Sequence, residues 1–353
     1  MKFSKLADQV WGEEPDDQVR SFVFMSNLDA QETANTMDVS VSVERIHADL
    51  CGNTELASEL HYAPDEWDEA QGWVKINYPL IDDTASASLD VVLDATFQPL
   101  PGQPFEGEAL TLIDALLHHA ENVAAFNPWK RTTFHTAHMH PPGGDGDCDY
   151  CMVLQRRGYI KAHEEIQQTI PLPSGDWSAG EFTVVDVEGT AFPSALIPSI
   201  VELQHRAALD VPHGNLSVAP AQWDEHRLAQ QSERILKTGT KLFTVLFAEG
   251  STVAAMSSIA IPPGSNPDIA EQGLTIVHPD FRGRGLGTAV KLAGLSLLSR
   301  CHPEIQRVAT SNAADNHAML AINRSIGATE IARTTLWEKK LQVMELETKD
   351  AVF

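Results

Sequence analysis

The stretch GLTIVHPDFRGRGLGTAVKLAGLSLLSR, Gly273 to Arg300, limits what this chain can be more than any other. Apolar Leu274, Ile276 and Val277 end at Pro279, and an Arg/Gly loop follows with Arg282, Gly283, Arg284, Gly285 and Gly287. Leu286, Val290, Ala293 and Leu297 then recur at helical spacing. A strand, a glycine loop and a helix in immediate succession leave loop and first-turn N–H groups without intrahelical partners. Those groups converge on one spot with the positive helix end behind them. The pattern predicts an anion site, most naturally for a phosphate.

Two common phosphate motifs do not fit. The dinucleotide fingerprint needs G-x-G-x-x-G and an acidic residue further on, whereas here the glycines run G-x-G-x-G and Arg300 ends the helix. The P-loop needs Gly-Lys-Ser/Thr, but Thr288 follows Gly287 directly. What fits is Arg282-x-x-Gly285-x-Gly287, approached through Val277-x-Pro279. This resembles the Q/R-x-x-G-x-G/A loop of the GCN5-related N-acetyltransferases (GNAT), which cradles the pyrophosphate of acetyl-CoA.

A chain of 353 residues suits two domains, and an internal comparison supports that division. Phe97-Gln98-Pro99 followed by the helical pattern Glu108–Ala125 repeats the order of Val277-His278-Pro279 and its helix. The two copies agree again at Arg157-Gly158-Tyr159 and Ile326-Gly327-Ala328, with Leu172 and Leu341 closing them. The first copy carries extra residues in the Gly/Asp/Pro-rich segment Pro141–Asp149. We therefore expect a GNAT-like domain over residues 1–172, a linker over 173–180 and a second domain over 181–353. The fold class expected is α/β (α+β), a mixed, mostly antiparallel sheet flanked by helices in each copy.

Along the first copy, residues 1–40 read as polar and acidic, with a weak helix at Val41–Leu50 or Thr54–Leu60. Gly72–Leu80 and Ala85–Phe97 read as strands. In the second copy, Phe182–Val185 reads as a strand, Ala195–Ala208 and Trp223–Leu236 as helices, and Lys241–Ala248 with Ser251–Ile261 as a hairpin. A strand near Arg307–Thr310, a helix over Asn316–Ser325 and a last strand from about Glu330 complete the order.

The GNAT resemblance implies roles residue by residue. Backbone groups of Ile276 and Val277 would pair with pantetheine amides. Arg282, Gly283, Arg284, Gly285, Leu286, Gly287 and Thr288 would hold the pyrophosphate. Asn312 and Asn316 resemble a second cofactor signature, although Asn316 also suits the plain role of an N-cap. Glu271 stands where many members carry a general base. The usual tyrosine that protonates the leaving thiolate is replaced by Asn323, which leaves that proton to water or to a neighbour such as His317. In the first copy Glu106 and Glu108 put two negative charges where a pyrophosphate would lie, so no CoA is expected there.

The resemblance implies an acetyl-CoA-dependent N-acetyltransferase acting on a primary amine of a small molecule by direct attack. Its alternatives are a catalytically inactive acetyl-CoA-binding sensor and a mycothiol-synthase-like acyltransferase. A net charge of −24 argues against a nucleic-acid partner. No apolar run approaches the roughly 20 residues of a membrane span, and four cysteines in so long a chain are no secreted framework, so a cytoplasmic protein is expected. His135, His138, His140, Cys148 and Cys151 have a zinc-like composition, but their order is not a recognised finger and no metal is expected.

Overall fold

The computed structural model describes residues 1–99, 103–144, 148–172 and 175–341. Gly102 of the first-copy loop, part of the Pro141–Asp149 insertion, Pro173 and Ser174 of the linker, and everything beyond Leu341 lie outside them. In chain order the first half forms β1 (Ser4–Lys5), α1 (Asp17–Ala34), α2 (Val43–Leu50), β2 (Leu56–Pro64), β3 (Ala70–Pro79), β4 (Ser86–Leu93), α3 (Gly107–Phe126), β5 (Thr133–His140), α4 (Asp149–Arg156) and β6 (Ile160–Pro171). The second half forms β7 (Thr183–Glu188), α5 (Ile197–Asp210), α6 (Glu225–Thr238), β8 (Lys241–Glu249), β9 (Thr252–Ile261), β10 (Ile269–Val277), α7 (Leu286–Cys301), β11 (Arg307–Ala313), α8 (His317–Ser325) and β12 (Thr329–Lys340). Apart from short 3-10 turns, both halves run β-α-α-β-β-β-α-β-α-β.

Local sequence explains most of these elements. In α3, Leu112, Ile113, Leu116, Leu117, Ala120 and Ala124 fall on one stripe and are buried against the sheet. Each buried leucine contributes about 1.5–3 kcal/mol by its removal from water. Two readings needed correction. Residues 17–34, taken with a merely polar segment, are helical: Asp16 caps the helix by accepting from Gln18 N, and Val19, Phe22 and Val23 form a narrow buried stripe. Thr54–Leu60 offers no helix; its apolar residues belong to β2, whose Leu60 and Ala63 are buried.

All twelve strands join one sheet in the order β1-β2-β3-β4-β5-β12-β6-β11-β10-β9-β8-β7. Read inward from either end, each half contributes its first five strands and is followed by the other half's last. β12 lies antiparallel to β5 of the first half, with Trp337 opposite Thr136, and β6 lies antiparallel to β11 of the second, with Asn312 opposite Ile166. The closing strands are thus exchanged between the halves and pair with each other at the sheet's centre. Parallel pairing occurs only at β4–β5 and β10–β11 among the described residues.

Ion pairs lock the halves across this exchange. Arg307 meets Asp38 at 2.8 Å, Arg45 meets Glu271 at 2.9 Å, and Arg227 meets Glu55 at 3.2 Å and Asp82 at 2.6 Å. Four clusters of buried apolar side chains fill the space between sheet and helices, the largest under α3 and α7. Among the described residues no helix is long and apolar enough to cross a membrane.

Candidate active site

The site begins where two strands part. β10 and β11 pair over three positions only, Ile269 with Arg307, Ala270 with Val308 and Glu271 with Ala309. Beyond them β10 carries an irregularity between Gln272 and Thr275 and continues against β9 alone, with Ile276 opposite Met256. Its edge toward β11 therefore has no strand partner among the described residues from Gln272 onward. Two adjoining cavities of about 450 and 390 Å³ lie along this divergence. Leu274, Thr275, Asn316 and Met319 line both.

The larger cavity gathers most of the sequence-predicted cofactor residues: Ile276, Val277, Arg282, Gly283, Gly285, Leu286, Gly287, Thr288 and Asn316 all line it. Gly283 and Gly285 both have φ of 75°, a left-handed conformation that a side chain would strain. Gly285 is the N-cap of α7 and no side chain caps that helix, which leaves its first-turn N–H groups open to a ligand. A Cβ at Gly287 would stand 2.9 Å from Ile322 Cδ1, the flexible end of a side chain that also lines the cavity.

Arg282 is already oriented. Its Nε donates to Val277 O at 3.1 Å and its guanidinium pairs with Asp210, which Arg206 also holds at 2.7 Å. A bound pyrophosphate would compete with Asp210 for this guanidinium. Arg284 stands apart from the lining, stacked over the Phe281 ring at 5.3 Å and 3.7 Å from Glu181.

The smaller cavity brings several polar groups together and belongs to both halves. Gln272, Lys291, Thr310, Asn312 and Asn316 come from the second half, while His163 and Glu165 arrive on the exchanged strand β6. Gln272 Nε2 donates to Ser258 O at 2.7 Å, yet its Oε1 is buried without a hydrogen-bond partner. An unpaired buried acceptor costs about 1–3 kcal/mol, so it marks a place for a donor. Asn316 Oδ1 accepts from Met319 N at 3.1 Å, so the N-cap role and the cavity-lining position hold together.

Sequence reasoning missed Lys291. It lies in the second turn of α7, is only 1% exposed, and lines the smaller cavity. Its Nζ donates to Asn323 Oδ1 at 2.6 Å, and Asn323 Nδ2 donates onward to Gln168 Oε1 at 2.8 Å. Burial pushes its pKa down to about 7. The available signal was a single lysine within the apolar run Val290–Leu295 of a helix buried on most sides. Asn323, where the GNAT tyrosine was expected, is fully buried and serves as the partner that holds this lysine.

Two predicted catalytic residues lie elsewhere. Glu271 sits in the paired part of β10 and lines neither cavity; Arg45 of α2 grips its two oxygens at 2.9 and 3.1 Å. In the structure this carboxylate forms an ion pair between the two halves. His317 opens α8, is exposed, and also lines neither cavity.

The first half repeats the strand divergence. β4 and β5 pair only from Ser86–Thr133 to Ser88–His135, and a cavity of about 360 Å³ follows. There α3 begins with Glu106 as N-cap and Glu108 in its first turn, without an arginine loop.

Neither a protein-family model nor a curated protein matches this sequence. Solved structures do match its shape. A tandem GNAT protein from the clavulanic acid biosynthesis pathway superposes with a TM-score of 0.70 at 22% identity, covering 96% of this chain and 98% of the other. The chain has the tandem GNAT fold. A GCN5-related N-acetyltransferase from Sphaerobacter thermophilus covers 96% of this chain and 95% of its own, with a TM-score of 0.60 at 15% identity. A GNAT-family acetyltransferase from Colwellia psychrerythraea gives 0.54 at 12% identity, over 96% of this chain and all of its own. At these identities the likeness concerns the fold.

Proposed function

We propose that this protein transfers the acetyl group of acetyl-CoA to a primary amine of a small molecule by direct attack, in the second-half cleft. The observation that carries the reading is the meeting of an uncapped α7 N-terminus, behind a left-handed Gly283/Gly285 loop, with an unpaired β10 edge in one cavity. The residues fit the cofactor: the N–H groups from Gly283 to Thr288 would hold the pyrophosphate, with Arg282 beside them. The free edge of β10 near Ile276 and Val277 would pair with the pantetheine amides. Acetyl-CoA would supply the thioester carbon that the amine attacks.

The chain's own groups handle protons and charge. Gln272 Oε1 and the Glu165 carboxylate supply acceptors for an ammonium in the smaller cavity. Glu165 is partly exposed, which gives a proton leaving the amine a route to solvent. Lys291 Nζ holds a proton against Asn323 and can yield it to a thiolate of pKa near 8.5, a downhill transfer from a lysine near 7. The replacement of the expected tyrosine by Asn323 is thereby made good by a neighbour. The amine belongs to a small molecule because the acceptor cavity is about 390 Å³ and part of its wall comes from the exchanged strand and the His213 loop.

The test combines binding and turnover. Acetyl-CoA should raise the melting temperature and bind by calorimetry, and a panel of primary amines should release free CoA thiol. Binding without turnover on any amine would turn the reading toward a sensor, and absence of binding would overturn it.

A further inference from the structure

We propose that His138, Cys148 and Cys151 bind one zinc-class divalent cation beside the first-half cavity, with water completing a tetrahedral shell. The proposal is independent of the acetyl-CoA reading and concerns the half that lacks the phosphate loop. It also reverses the expectation from sequence, where a helix start and alternating strand histidines gave no finger-like order.

The tertiary structure brings these residues together. The ligand atoms of His138, Cys148 and Cys151 lie within 4.8 Å of one another. His135 and His140 are engaged elsewhere, His135 with Glu338 at 3.1 Å and His140 with Thr335 Oγ1 at 2.9 Å. His138 is fixed by stacking on Tyr150, with ring centroids 4.4 Å apart, and it lines the first-half cavity beside Asp29. Cys148 is the N-cap of α4, and its Sγ accepts from Cys151 N at 3.2 Å. That N–H···S bond at a positive helix end favours a thiolate.

The duplication relates these three positions to the second-half cleft. Thr133 on β5 and Arg307 on β11 open the same parallel pairing in their respective halves, and five residues beyond each stand His138 and Asn312. Cys148 caps α4 as Asn316 caps α8, and Cys151 accordingly matches Met319. In the second half, Asn312, Asn316 and Met319 line the cleft. In the first half the same three positions hold an imidazole and two thiols. The substitution replaces two neutral amides and a thioether with a donor set typical of zinc. Two thiolates on a divalent ion leave no net charge at the site, which removes most of the cost of burying them.

The two Sγ atoms stand 2.6 Å apart in the structure. On one tetrahedral ion at about 2.3 Å from each they would stand ~3.8 Å apart. Metal binding therefore requires a rotation of the partly exposed Cys148 side chain, while Cys151 stays in the core.

The full chain, purified under reducing conditions without a metal-affinity step, should carry about one zinc per chain by elemental analysis. Cys148→Ser, which keeps an N-cap of similar strength, should fall below about a tenth of that with an unchanged circular dichroism spectrum. His138→Gln provides a second loss of ligand outside the core. Cobalt exchanged into the wild type should give thiolate-to-metal charge-transfer absorption that Cys148→Ser lacks. A wild-type protein that is metal-free and, once reduced, takes up zinc or cobalt no more tightly than Cys148→Ser would overturn the proposal. So would a Cys148–Cys151 disulfide persisting in reduced, zinc-exposed protein.

Discussion

Replacing Lys291 by glutamine tests the centre of the proposed chemistry through stability alone. Lys291 is buried, its Nζ bonds Asn323, and its pKa in the folded chain is about 7. In the unfolded chain a lysine titrates near 10.4. Between those values the unfolded state holds one proton more than the folded state, so wild-type stability rises with pH across that window. Over the full window the gain amounts to about 5 kcal/mol at 1.36 kcal/mol per pH unit. Between pH 6 and pH 9 it amounts to about 3 kcal/mol. The glutamine keeps a donor for Asn323 but titrates nowhere, so every other ionisable group cancels between the two proteins. Urea unfolding of wild type and Lys291→Gln at pH 6, 7.5 and 9 should therefore show a stability difference that shifts toward the wild type by that amount. Parallel curves, with a difference independent of pH, would show that Lys291 keeps an ordinary pKa. The downhill transfer of its proton to a thiolate of pKa near 8.5 would then have no basis.

Gly287→Val should abolish acetyl-CoA binding by calorimetry while costing little stability, because the new side chain enters the cavity and displaces only the flexible end of Ile322. Glu271→Gln should leave the pH profile of turnover unchanged and lower stability by at most about 1 kcal/mol, since its pair with Arg45 is more than a third exposed. Asn316→Ala should cost about 1 kcal/mol of stability through the lost cap of α8, read by urea unfolding. The same change should weaken acetyl-CoA binding, because Asn316 also lines the cofactor cavity.

The stretch from Gly273 to Arg300 was legible because its information is local. A strand, two glycines with positive φ and a helix start are set by short-range geometry, and the residues that build them are consecutive. The duplication was legible for the same reason: it is a repeat of element order, and both halves keep it. The helix α1 escaped notice because its buried stripe is narrow and its remaining surface polar.

What only the tertiary structure decided depends on strands that are far apart in sequence. The exchange of β6 and β12 carries His163 and Glu165 into a cleft whose loop lies more than a hundred residues later. No periodicity encodes which half's strand a closing strand pairs with. Glu271 had the right spacing for a base, but Arg45 is brought across the interface by α2 and takes its carboxylate. Lys291 is an ordinary residue in a helical pattern until burial removes its water and lowers its pKa. His138 and the two cysteines likewise become a ligand set only when β5 and the start of α4 converge. Sequence alone determined the glycine loop and the helix start behind it, because backbone geometry follows from neighbours along the chain. Which side chains meet around that loop depended on the fold, because burial and proximity are properties of the packed molecule.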